Sequence, residues 1–207
     1  MMNTRFSNLM KVPNQPAMRL LAMANAKLDT KLTSPANASV EMVMAELEEA
    51  DAPMDMLRLM SVALPVRERV WWACLAARDV AGPDPVVTPP PLAASEAWVR
   101  KPSDATRDAA RLTVEVAEID DDTVLCASAV VYCDETLGTG DLAQYPAPAG
   151  ASQTSAFGMN IVAMGTGSDV MQMAHHLVDR AGDIARGGNG QIPLPQTDQP
   201  TLEEIAI

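Results

Sequence analysis

Two adjacent tryptophans, Trp71 and Trp72, stand inside the stretch Leu64–Val80, and a chain that is only 3% aromatic has to house both. The stretch reads as a helix. Pro65 suits the first helical position, where its missing N–H is no loss. Glu68 lies near the positive end of the helix dipole and Arg78 near the negative end. Val70, Trp71, Cys74, Leu75 and Ala77 recur at helical spacing and make one broad apolar stripe. Trp72 points about a quarter-turn aside, over Glu68, Arg69 and Ala76. Burying one such ring removes roughly 150–250 Å² from water. A helix with large rings on two neighbouring faces is expected to pack between layers, so the fold should be arranged around it. A paired-Trp ligand platform is the functional alternative. Core packing is preferred, because apolar rings at helical spacing are core more often than site.

A chain of 207 residues can enclose one sizeable core or two small ones, and 48% hydrophobic content suits a globular protein. The formal charge of −12 argues against nucleic acid and anionic membrane surfaces as partners, since both would repel it. No apolar run is long enough to span a bilayer, so no membrane insertion is expected. Arg5, Lys11 and Arg19 followed by Leu20–Ala26 faintly resemble an export signal. The run is too short, and Asn14, Gln15 and Pro16 interrupt its approach, so a cytoplasmic protein is expected. Cys74, Cys126 and Cys133 form no disulfide framework. Each lies among apolar neighbours and reads as a small hydrophobe.

Residues 1–15 lack a sustained period and are expected to form a flexible N-terminal arm. Residues 16–188 then read as a single helical domain. Ala17–Lys27 is a short helix. Ser39 caps a second, with Val40, Val43 and Leu47 inward. Asp51 and Pro53 open a third, with Leu57, Met60 and Leu64 inward. Residues 81–91 hold five prolines and suggest an extended internal linker. Leu92–Lys101 is a helix carrying Trp98. Ser103 caps the next, in which Ala105, Ala109, Leu112, Val116 and Ile119 repeat at steps of four and three and are expected to face inward. Asp120–Asp122 break it and cap the next segment; they lack the ligand pattern of a calcium loop. Thr123–Cys133 has almost no polar face and reads as helix or strand, with its helical neighbours favouring helix. Asp134–Gly150 is a loop and Ala151–Met164 an inner helix. Ser168 or Asp169 caps a last helix with Val170, Ala174, Leu177, Ala181 and Ile184 on one face, ended by Gly187. Residues 189–207 are expected to form a C-terminal tail, in which Leu202–Ile207 is a conceivable docking segment but a solvated end is preferred.

The expected fold is all-α: a compact multi-helix bundle of short helical hairpins around the central Trp-Trp helix. Its expected core is Val70, Trp71, Trp72, Cys74, Leu75, Trp98, Leu112, Val116, Leu177 and Ile184.

No catalytic constellation emerges. His175 and His176 are adjacent, and helical neighbours diverge by about 100°, so they cannot grip one metal together. His175 and Asp179 are spaced to share a face, yet no third ligand is evident. No nucleophile elbow or phosphate loop is present. Neither catalytic, cofactor nor metal residues are therefore assigned, and a non-enzymatic protein is expected. The 14 methionines are unusually many, and Met is an adaptable side chain overused on surfaces that bind varied partners.

Leu64-Pro65, the string Trp71-Trp72-Ala73-Cys74-Leu75-Ala76-Ala77-Arg78, Ala94–Val99, Pro102-Ser103 with Arg107, and Gly182–Gly187 together resemble an uncharacterised, mostly helical bacterial family often encoded beside type VI secretion components. The resemblance spans roughly Ser39 to Gly188, with the Trp-Trp-Ala-Cys string its most specific part. It supplies no catalytic residue. What it implies is an accessory role, as an adaptor or chaperone that binds a secretion component or its cargo. An enzyme using the 138–150 loop and the His175/Asp179 face, and a self-assembling protein with a homodimer face, are the alternatives.

Overall fold

Helical spacing and cap chemistry decide where the elements begin and end. A computed structural model describes residues 5–82 and 87–194. Among them are nine α-helices and one isolated β-bridge. In chain order they are α1 (Ala17–Met23), α2 (Val40–Glu49), α3 (Pro53–Ala63), α4 (Val66–Ala81), α5 (Pro90–Arg100), α6 (Asp104–Val116), α7 (Val124–Val131), α8 (Ala151–Met164) and α9 (Val170–Arg186). The all-α expectation holds, and Thr123–Cys133 is helical over α7.

The caps are those the sequence offers. Ser39 accepts from the Met42 N–H, Ser103 forms a reciprocal capping pair with Thr106, and Asp169 accepts from Met171 and Gln172. Gly187 closes α9 at φ +102°, a left-handed conformation that most side chains resist. Pro90 and Pro91 depart from the extended linker expected over 81–91: they open α5, whose first turn has no use for their missing donors. Residues 83–86 of that linker lie outside the described part.

α4 is the axis. It packs against α5, α7, α8 and α9, and nearly its whole circumference is buried. Trp72 is 0% exposed, and its indole N–H donates to the Leu177 carbonyl of α9 at 3.0 Å. Ala73, Ala76 and Ala77 let the neighbours come close. Val70, Cys74, Leu75, Trp98, Leu177 and Ile184 are all buried, as expected.

Three expectations need correction. Trp71 is only partly buried; it packs against the edge of the core, because Trp72 takes the central position on the same turn. Leu112 (52% exposed) and Val116 (81%) are not core at all, and Ala105, Ala109 and Ile119 are exposed with them. α6 instead turns Arg107, Ala110 and Val114 inward, half a turn from the apolar stripe. The reason is Arg107. Its Nε donates to the Val131 carbonyl at the end of α7 (2.8 Å) and its Nη1 to Asp134 (2.6 Å), while Nη2 reaches Val131 and Thr136. The unsatisfied carbonyls of a helix end demand donors, and that demand fixes which face of α6 looks inward.

The third correction concerns the arm. Residues 5–15 lie on the bundle, with Phe6 and Leu9 buried. Arg5 binds Glu48 of α2 and Asp179 of α9, the Lys11 N–H donates to the Ala185 carbonyl, and Arg186 donates to the Arg5 carbonyl. These contacts join residues far apart in sequence, which no local period reveals. The first part of the expected tail is likewise tied down, since the Gly190 N–H donates to Asp183 and its carbonyl accepts from Arg180. The segment Leu202–Ile207 lies outside the described residues.

Candidate functional site

The residues weighed for catalysis are tied into ion pairs. The Asp179 carboxylate accepts from the Arg5 Nε at 2.8 Å, so it does not stand beside His175 as a free partner. His175 places its Nε2 3.6 Å from Asp51. His176 is buried, and its Nε2 lies 3.1 Å from the Arg180 Nη2. Burial first, then the Arg180 charge, pushes the His176 pKa below its ordinary value, so the ring is neutral at pH 7. Arg180 is held in turn by Asp79 at 2.5 Å, a buried pair that links α9 to α4. The 138–150 loop is folded back on itself: Leu137 donates to the Tyr145 carbonyl and Ala147 to that of Glu135. Its Thr139 hydroxyl donates to Asp108 of α6. Among the described residues no group of three or more His, Cys, Asp or Glu could hold a metal ion.

Cys74 and Cys126 meet inside the core and join α4 to α7. Their hydrogen bond, followed by burial, drives the Cys74 pKa well up. Cys133 is partly buried, and burial raises its pKa too. Raised values keep the Cys74 and Cys133 thiols protonated and poorly nucleophilic.

Arg69 is a buried cation left largely unanswered among the described residues. It is 6% exposed, and neither its Nε nor its Nη1 has a hydrogen-bond partner. Burial lowers its pKa to about 10; nearby Cys133 and Glu135 favour the charge only weakly in return. Sequence reading placed Arg69 merely beneath Trp72, and nothing local marked it as isolated.

Two surface features stand out among the described residues. The first is the outer stripe of α6. Ala105, Ala109, Leu112 and Val116 recur at helical spacing on its solvent face, and Ile119 follows just beyond the helix end. One flank is acidic: Asp108 and Glu115 both grip Arg111, which leaves that edge with net negative charge. The other flank carries Thr106 and Thr113. The second is a cleft of about 300 Å³ between the start of α4, the end of α5 and the chain just after α9. Trp71, Val99 and Ile184 supply its apolar wall, and Lys11, Arg67 and Arg100 surround it. The Trp71 N–H donates to the Asn189 carbonyl at 2.7 Å, which fixes the ring. Lys11 is paired with Glu68 at 2.9 Å. The Arg67 Nε caps α5 through the Val99 carbonyl at 2.7 Å. No described residue pairs with the outer nitrogens of Arg67 or with Arg100.

A family model matches residues 43–185, more than half of the chain, from within α2 almost to the end of α9. The chain belongs to DUF6931. This is a family of unknown function. The part shared with DUF6931 takes in the central Trp72 helix and the whole of α6 with its outer stripe. Lys11, Gly188 and Asn189 of the Trp71 cleft fall outside it. No curated protein and no solved structure matches the chain.

Proposed function

We propose that this DUF6931 protein is a non-enzymatic, cytoplasmic adaptor or chaperone that binds a protein partner, accessory to a bacterial type VI secretion system. The observation that carries the reading is the solvent-facing stripe of α6. A helix in a monomer normally turns such a stripe inward, and contiguous exposed apolar surface marks interaction sites. Here the inner face is already committed through Arg107, so the outer stripe is surplus to the fold.

The partner that fits is an amphipathic helix with apolar residues three and four apart and basic residues on one flank, opposite Asp108 and Glu115. The exposed Met18, Met23, Met42, Met54 and Met171 add adaptable contact surface elsewhere. The secretion context rests on the sequence resemblance, carried by the Trp-Trp-Ala-Cys string.

A photo-crosslinking residue at Leu112, introduced in the native host, tests both parts. Crosslinks to a type VI component or its cargo, lost in a Val116→Asp chain, are expected. Crosslinks to unrelated abundant proteins, unchanged by Val116→Asp, would refute the assignment. Pairing of two copies through α6 is the second reading, favoured by the regular four–three spacing. Antiparallel copies would bring Asp108 and Glu115 of the two chains together, and like charges at such flanks destabilise pairing. Crosslinks between two copies would establish it all the same.

A further inference from the structure

We infer that the Trp71 cleft is a docking site for an acidic–aliphatic peptide, and that its occupant is this chain's own segment Leu202-Glu203-Glu204-Ile205-Ala206-Ile207. The cleft is lined by Lys11, Arg67 and Arg100 against one acid, Glu68, on a chain whose net charge is −12. Its apolar wall is Trp71, Val99 and Ile184, and among the described residues no carboxylate pairs with the guanidinium groups of Arg67 and Arg100. A fitting ligand therefore presents branched aliphatic side chains beside carboxylates. Residues 202–207 carry Leu, Ile, Ile and two Glu, while 195–207 contain Asp198, Glu203 and Glu204 and no Lys or Arg.

Reach permits the same occupant, although Leu194 lies beside Asp169 and Met173 at the start of α9, the far end of that helix from the cleft. Asn189 lines the cleft, and Leu194 follows five residues later. Leu194 is then at most about 18 Å from Asn189, given about 3.3–3.6 Å of span per residue. Residues 195–201 can cover about 24 Å on the same basis. Leu202 can thus be brought to the cleft by the chain that precedes it. A tethered segment meets its site at an effective concentration in the millimolar range, so weak contacts suffice. Arginine beside an exposed indole edge adds geometry: its planar fork donates to a Glu carboxylate through two parallel hydrogen bonds.

Trp72 and Trp98 are buried, so collisional quenching by acrylamide reports on Trp71, with a Trp71→Phe chain as the blank. In the full chain, raising NaCl from 0.05 M to 1 M should increase the Trp71 quenching constant about twofold, because salt screens the rim charges. Glu203→Lys with Glu204→Lys should do the same at low salt. Adding Arg67→Glu and Arg100→Glu to that chain should restore protection. A quenching constant that ignores both salt and the Glu203→Lys/Glu204→Lys change would overturn the inference. So would a cleft that is open in the unaltered chain but closes on added Leu-Glu-Glu-Ile-Ala-Ile peptide, which would make the site one for another protein's acidic segment. The salt measurement requires no substitution and stands even if a variant misfolds.

Discussion

Arg69 and Arg107 show how two buried arginines of one chain can have opposite worth. Both are almost fully buried, yet Arg107 donates to Val131, Asp134 and Thr136, while two nitrogens of Arg69 find no acceptor among the described residues. Burying a charge without a partner costs several kcal/mol, whereas removing a well-bonded one strands its acceptors. Arg69→Met is therefore expected to raise unfolding stability by about 1–3 kcal/mol, and Arg107→Met to lower it by about 2–4 kcal/mol. Urea titrations of the two variants check the contrast; equal effects would contradict it. His176 gives a pH dependence of definite sign. Its folded pKa is lowered, so the unfolded chain binds more protons once the pH drops below the ordinary histidine value near 6.5. Its contribution is complete above that value and is lost as the pH falls through the folded pKa. The groups facing it are Arg180, Asp79 and Asp179. Melting temperature should decline between pH 7 and pH 5, and His176→Gln should flatten the decline; an unchanged slope would rule His176 out as its source.

Among the elements, α6 is where sequence and structure part. Its start was readable, because Ser103 caps it, but its end was not, since the stripe runs on to Ile119 while the helix stops at Val116. Nor was its orientation. The rule that an apolar stripe faces inward assumes that nothing else competes for the inner face. Here the exposed carbonyl end of α7, some twenty residues further along the chain, competes and wins through Arg107. Arg107 itself stands between Thr106 and Asp108, and nothing in that local setting marks an arginine that turns inward. Leu112→Ser with Val116→Ser should thus shift stability by less than about 0.5 kcal/mol, whereas Ala110→Leu, which overfills the buried side, should cost about 1–3 kcal/mol. Thermal melts that rank the pairs in reverse would return Leu112 and Val116 to the core. α4 was legible almost whole, since alanines and a doubled indole leave few ways to pack. What the spacing missed is which indole lies deepest: the broader stripe favoured Trp71, but Trp72 alone finds a carbonyl partner in α9.

On the scale of the molecule, the helical class was readable from period and caps, and family membership now frames it. The α6 stripe and the Trp71 cleft were harder to see. The Trp71 cleft draws on Lys11, Arg67, Arg100 and Asn189, which sit in four separate stretches of sequence. No motif search joins such residues; only the packing of α4 against α5 and α9 does. The clasp made by residues 5–15 has a consequence of its own for biosynthesis. Arg5 and Leu9 pair with Glu48 and Glu41, which follow them by 43 and 32 residues, whereas Asp179 lies 174 residues beyond Arg5. Residues 5–15 must wait, half-anchored, for α9 before their contacts are complete. Closure of the clasp is thereby postponed until α9 has been made, as expected where contacts join residues far apart in the chain.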